Sequence, residues 1–221
     1  MTPPALVIFD CDGVLVDSEM IASRVLAKEL TTRGMAISPA DCRRSFTGMS
    51  IASVIAAVEK ELGQTLEPDF EELLLKHDRA AFETELQAVA GIKTALENIP
   101  VPVCVASSGS PEKITNSLRV TALADKFGQN LFSASMVVNG KPAPDLFELA
   151  AERMHVAPDE TVVIEDAQAG VIAAGLAHMR VFGFCGASHA IGDSGYQHKL
   201  VEAGADLIFD DMTRLPELLG F

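Results

Sequence analysis

The chain has 221 residues, 48% of them apolar and 22% charged, the balance of a globular protein with a well-filled core. A formal net charge of −14 argues against nucleic acid or an anionic membrane as a partner, because phosphate backbones require patches of Lys and Arg. A small phosphorylated ligand remains compatible, since it needs only local positive charge.

The N-terminus lacks a basic segment followed by a long apolar stretch, and no apolar run approaches the roughly 20 residues that span a bilayer. Cys11, Cys42, Cys104 and Cys185 are widely spaced and form no CxxC pair. They read as free thiols in a reducing compartment, and the cytoplasm is the expected location.

In chain order, Ala5–Phe9 reads as a short strand buried on both faces, because it is too apolar to alternate. From about Ser18 to Gln87 the pattern is helical. Ile21, Val25, Leu26 and Leu30 recur at spacings of three and four, followed by Ile51, Val54, Ile55 and Val58, then by Phe70, Leu73, Leu74 and His77. Gly34, Gly48 and Gly63 punctuate these helices, and Asp17 and Ser18 read as the cap of the first, with Glu19 at its positive end.

Beyond Gly91, strands alternate with helices. Val101–Ala106 predicts a strand, followed by the small-residue turn "SSGSPEK" and a helix through Ile114, Leu118 and Val120. Leu131–Ser133 predicts a short strand and Asp145–Met154 a helix with Pro144 at its start. Thr161–Ile164, Val181–Phe184 and Leu207–Phe209 predict further strands, with a helix over Ala167–Ala177. This alternation is that of a parallel, doubly wound α/β sheet with helices on both faces. The helical block interrupts it after the first strand, so the expected organisation is an α/β core of residues 1–16 plus 88–221 and an inserted helical cap of residues 17–87.

Ligands of open α/β sheets bind beyond the carboxyl ends of the strands. Asp10 and Asp12 lie there after the first strand, Ser107 and Ser108 after the second, and Glu165 and Asp166 after "TVVI", with Lys141 in the loop "NGKPAPD". Carboxylates converging on one edge are tolerable if a hard cation sits among them, and Mg²⁺ takes oxygen ligands while sharing its shell with a substrate phosphate. Lys141 and the Ser107 hydroxyl would hold other phosphate oxygens, and backbone N–H groups of the Ser108–Ser110 turn would add anion contacts. Of Asp10 and Asp12, one would attack phosphorus and the other would move protons. The five histidines show no metal-ligand spacing and read as surface or packing residues. The cap cations Arg43, Arg44, Lys76 and Arg79 read mainly as solvated charges.

The motifs "FDCDGVLVDSE", "VASSGS", "GKPAPD" and "VIEDAQAGV", in that order and with a helical insert after the first, resemble the haloacid dehalogenase superfamily of phosphohydrolases. The nearest branch contains β-phosphoglucomutase, sugar-phosphate phosphatases and 6-phosphogluconate phosphatase. The resemblance implies a Rossmann-like core with Asp10 as nucleophile and Asp12 as general acid and base. It implies Mg²⁺ bound by the Asp10 carboxylate, the Asp12 main-chain carbonyl and Asp166, with Glu165 as a further carboxylate at the metal or behind its ligands. Ser107 and Lys141 would bind the phosphoryl group, and the cap would act as a lid that selects the substrate.

The function expected is hydrolysis of a small phosphomonoester, a sugar phosphate or sugar-acid phosphate, by a monomer or weak homodimer. The alternative is a phosphomutase. Mutases of the branch have a histidine on the first cap helix and an arginine after the cap's glycine turn, where this chain has "DSEMIAS" and "TGMSIAS". A dehalogenase is disfavoured because it has no leaving alcohol for Asp12 to protonate. A non-catalytic binding module is disfavoured because every catalytic group is present.

Overall fold

The structure, a computed structural model, describes residues 2–46 and 51–221. Gly48 and the "TGMS" half of the second cap segment lie outside the described residues. The chain divides into two compact units, one of residues 1–17 and 87–221 and the other of residues 18–86.

The first unit is built on six parallel strands, β1 (Leu6–Phe9), β2 (Val103–Ser107), β3 (Leu131–Ser133), β4 (Thr161–Glu165), β5 (Arg180–Phe184) and β6 (Leu207–Phe209). Their order across the sheet is β3-β2-β1-β4-β5-β6. The sheet expected from the alternating pattern is therefore present. All four side chains of β1 are inaccessible to solvent, which stabilises the unit by roughly 1.5–3 kcal/mol per side chain. β1 is central because its apolar run can be covered on both faces. In register, Phe9 pairs with Val105 on one side and Ile164 on the other. The chain order reverses between β1 and β4, and such a switch point opens a crevice at the carboxyl ends.

Strand β2 begins at Val103 rather than Val101, and β4 and β5 each gain a residue over the sequence expectation, Glu165 and Arg180. Helices α6 (Pro111–Val120), α8 (Asp145–Met154) and α9 (Gln168–Leu176) follow β2, β3 and β4, with the short α5 (Ile92–Glu97) before β2 and α7 (Ala124–Phe127) before β3. One apolar core joins Leu6, Ile8, Cys104, Leu146, Phe147, Val163 and Val171. Residues 185–206, for which no element was expected, carry a further helix, α10 (Ser194–Glu202), capped by the Asp193 carboxylate, which accepts from the N–H groups of Gly195 and Tyr196.

The second unit contains α1 (Glu19–Thr32), α2 (Pro39–Phe46), α3 (Ile51–Leu62) and α4 (Phe70–Glu85). Its core is the periodic apolar set read from the sequence: Val25, Leu30, Val54, Val58, Phe70 and Leu74 are buried together with Met35. Lys76 and Arg79 are exposed and Arg44 pairs with Asp41, so these three cations lie on the unit's surface. The expected cap holds by position at Ser18, the N-cap residue of α1, but not by side chain. Ser18 makes no side-chain capping bond, and the Asp17 carboxylate instead accepts from the hydroxyl of Ser188, 2.7 Å away. No helix among the described residues is long and apolar enough to cross a membrane.

Within this unit Glu29 is a buried carboxylate. It accepts from Arg33 Nη1 at 2.9 Å and lies 2.9 Å from His77 Nδ1, so His77, expected on the apolar face, serves as a polar partner. Burial pushes the Glu29 carboxyl up, but hydrogen bonds and charge from Arg33 and His77 more than offset this and hold it low. A lowered carboxyl contributes stability above its ordinary value of 4.5 and loses it as pH falls through the lower folded-state value. Replacing Glu29 by Ala should cost about 2 kcal/mol at pH 7 in urea melts followed by circular dichroism. The deficit should shrink at pH 3, and a cost independent of pH would contradict this account.

Candidate active site

The site is assembled at the carboxyl ends of β1, β2 and β4. Asp10 directly follows β1, and its N–H donates to the Ile164 carbonyl at 3.0 Å, which fixes the backbone at the switch point. Residues 11–16 then close on themselves: Gly13 N–H donates to Val16 O at 2.8 Å, and Leu15 N–H to Cys11 O at 2.9 Å. Gly13 has φ +78°, and a Cβ there would lie 2.0 Å from Asp166 Oδ2. Glycine is needed twice at this position, for its backbone angle and for the space.

Lys141 reaches the same point from the loop after β3. Its side chain is 5% exposed, and Nζ donates to Asp10 Oδ1 at 2.6 Å, Glu165 Oε1 at 2.5 Å and the Ala106 carbonyl at 3.0 Å. The three donor directions of an ammonium thus have three acceptors. Glu165, expected on the metal side, spends one oxygen on Lys141 and the other on the Ala167 N–H at 3.0 Å. Gly170 makes room for it, since a Cβ there would lie 1.8 Å from Glu165 Oε1.

Ser107 is buried at the end of β2, and its Oγ accepts from the Gly109 N–H at 3.1 Å. A hydroxyl that accepts this bond can still donate one. Ser133 Oγ donates to the Gly109 carbonyl at 2.7 Å, so β3 pins the turn. Ser108 is exposed. Ser110 caps α6 by accepting from Lys113 N–H. That places Lys113 in the first turn of α6, with its Nζ donating to Asp12 Oδ2 at 2.7 Å.

Asp10, Glu165 and Asp166 each offer an oxygen, and these oxygens lie within 4.8 Å of one another. Asp12 lies outside this set, its side chain turned to Lys113. Burial is the largest influence on Asp10; Lys141 pulls the carboxyl down and Glu165 pushes it up, leaving it raised to about 7. Burial also dominates in raising Glu165, whereas the charges of Asp10 and Glu165 outweigh burial at Lys141 and keep it protonated. Three clustered carboxylates face one ammonium there, so in their ionised forms they exceed it by two negative charges. A divalent cation matches that excess, and the donors are all hard oxygens. The residues present therefore fit a hard divalent metal.

Two participants were missed in the sequence. Lys113 ends the "SSGSPEK" turn, and a lysine in a first helical turn carries no local signature. His189 was expected to be a surface or packing residue. It is buried, with Nε2 3.1 Å from Asp166 Oδ2; only the fold brings residues 166 and 189 together.

Two outcomes follow from this geometry. Gly13→Ala should cost at least about 3 kcal/mol in urea midpoint measurements. Gly63→Ala, also at positive φ (+66°) but with nothing within 4 Å, should cost about 1 kcal/mol; equal costs would remove the close-approach argument. A raised carboxyl binds its proton more tightly in the folded than in the unfolded chain, so its contribution to stability declines as pH climbs from about 4 to about 7. In chelator, Asp10→Asn should therefore melt above the parent chain at pH 8, with the gap narrowing at pH 5. A gap of equal size at both pH values would contradict the raised value.

Comparison with known proteins identifies the family of the chain. Residues 4–178 match the haloacid dehalogenase-like hydrolase family. The chain is 32% identical to a 6-phosphogluconate phosphatase of Escherichia coli K12, covering 96% of this chain and 93% of that protein. It is 29% identical to a phosphorylated carbohydrates phosphatase of Thermotoga maritima, over 90% and 91% of the two chains. Among solved structures, a haloacid dehalogenase-like protein of unknown function from Agrobacterium tumefaciens C58 superposes with TM-score 0.87 at 34% identity, covering 97% of each chain. A hydrolase of the family from Deinococcus radiodurans R1, determined with bound phosphate and sodium, superposes with TM-score 0.78 at 30% identity, over 97% of this chain and 94% of that one. The chain belongs to the haloacid dehalogenase-like hydrolases, as an enzyme of their phosphatase branch.

Proposed function

We propose that the protein is a magnesium-dependent phosphatase that hydrolyses a small phosphomonoester, a sugar phosphate or sugar-acid phosphate, through an aspartyl-phosphate intermediate. The observation that carries this reading is the Lys141 ammonium, 2.6 Å from the Asp10 carboxylate, with Glu165 and Asp166 beside it at the crevice of the sheet.

An Asp10 oxygen attacks phosphorus, the ester bond to the leaving oxygen breaks, and Asp12 gives that oxygen its proton. Asp12, again a carboxylate, then takes a proton from water as the water attacks the phosphoaspartate, releasing inorganic phosphate and restoring Asp10. The Lys113 ammonium, 2.7 Å from Asp12, offsets the charge that Asp12 gains on losing its proton. The Lys141 charge beside Asp10 attracts the phosphoryl group, and the Ser107 hydroxyl donates to one of its oxygens to keep phosphorus in line with Asp10. Asp10, Asp166 and the Asp12 carbonyl would hold Mg²⁺, with Glu165 fixing Lys141 behind them. When bound, the metal supplies charge neutralisation for the transferring phosphoryl group.

The named phosphatase relatives act on phosphorylated sugars or sugar acids, and the Deinococcus structure contains phosphate; both support this substrate class. The four cysteines are all free and buried, which suits a reducing compartment, and the cytoplasm is the location proposed.

Phosphate release should be measured over a panel of sugar phosphates, sugar-acid phosphates, phosphoglycolate and nucleotides. Activity should fall to background in EDTA and return with Mg²⁺, and Asp10→Asn should lose at least about a thousandfold with its fold intact. Chelator-insensitive turnover would overturn the metal assignment, and retained turnover in Asp10→Asn would remove the nucleophile. Isomerisation of a hexose 1-phosphate without phosphate release would favour a mutase.

A further inference from the structure

The segment between β5 and α10 is tied to the site at several points. Cys185 N–H donates to Phe209 O at 2.9 Å, and Gly186 lies so close to Asp210 that a Cβ would sit 1.9 Å from its carbonyl oxygen. Ser188 donates to Asp17 through its hydroxyl at 2.7 Å and its N–H at 3.3 Å, joining this segment to the end of the 11–16 turn. These ties fix His189, whose side chain is 1% exposed.

Its Nε2 lies 3.1 Å from Asp166 Oδ2 and 2.9 Å from the Tyr196 hydroxyl. The two rings meet edge to face, with centroids 5.2 Å apart. Nε2 offers at most one hydrogen, and with the Asp166 carboxylate and the Tyr196 hydroxyl both within 3.1 Å that hydrogen is shared between them. The same Oδ2 is packed against Gly13, where a Cβ would lie 2.0 Å from it and 3.0 Å from His189 Cε1. Burying an imidazole against a carboxylate costs desolvation that a leucine of similar bulk would avoid. The pair is therefore explained better by what it does to Asp166 than by packing.

We propose that His189, steadied by Tyr196, is a positioning residue that holds the Asp166 carboxylate in place for the divalent cation, so that its loss weakens metal binding in the absence of substrate. This rests on Asp10 and Asp166 being metal ligands. A donor behind a ligating carboxylate reduces its rotational freedom, and partners of this kind are worth about 10–100-fold in metal affinity.

The test is isothermal titration of the chelator-stripped chain with Mg²⁺, without substrate. His189→Leu should bind Mg²⁺ at least about tenfold more weakly than the parent. His189→Gln, which can place an amide N–H near the Nε2 position, should stay within about threefold. Parent-like affinity in His189→Leu would overturn the proposal, and so would an equal loss in both variants, the mark of a packing role alone. If His189→Leu does not fold, Tyr196→Phe carries the test: an affinity at least about threefold weaker supports the proposal, and an unchanged one overturns it. Absence of Mg²⁺ binding by the parent chain would take down the metal assignment itself. Parent binding with unchanged variants removes only the role of His189.

Discussion

The position of one ammonium group constrains the rest of the site. Lys141 is buried between Asp10 and Glu165, with the Ala106 carbonyl as its third acceptor. Isolated, each of these charges would cost several kcal/mol to remove from water; together they are tolerated. Each partner is fixed in turn, Glu165 by the Ala167 N–H and the missing side chain of Gly170, and Asp10 by its backbone bond to β4. The arrangement remains short of positive charge, and burial still raises Asp10 despite the lysine. A site in this condition accepts a dication and a phosphate together more readily than either alone, because each offsets the charge the other brings.

The parallel sheet makes this crowding possible. Parallel strands end on a common edge, so residues 10, 107 and 165, far apart in the chain, are delivered to one crevice by three neighbouring strands. Strand register is held by side chains buried on both faces, which lets the edge carry unfavourable charge without loss of alignment. Asp12 is held on a separate ion pair with Lys113, away from the carboxylate cluster. Lys141 is thereby left to Asp10 and Glu165, although the Asp12 charge still adds to the rise of the Asp10 carboxyl.

Much of this was legible from local pattern. Apolar runs too dense to alternate marked β1, β2 and β4, and helical spacing marked the buried residues of the inserted helices. Asp10, Ser107, Lys141, Glu165 and Asp166 could be named because each stands at or near the point where an apolar strand gives out, or in a motif with a fixed place in the order. What was not legible depends on pairs distant in sequence. Asp17 looked like a helix cap because the local sequence permits one; its partner is Ser188, which no local rule finds. His189 and Tyr196 lie in a stretch without periodicity, and their significance comes from Asp166 on another strand end. The dual duty of Gly13 was hidden for the same reason, since half of its constraint is the space occupied by residue 166.

Lys141, Glu165 and Asp166 are gathered around Asp10, the proposed nucleophile. The most direct measurement is mass spectrometry of the chain quenched in acid during turnover of a reactive phosphomonoester. A phosphoryl group labile to hydroxylamine on the peptide that contains Asp10, absent from Asp10→Asn, is the predicted result. Steady turnover with the phosphoryl group trapped on another residue would contradict it.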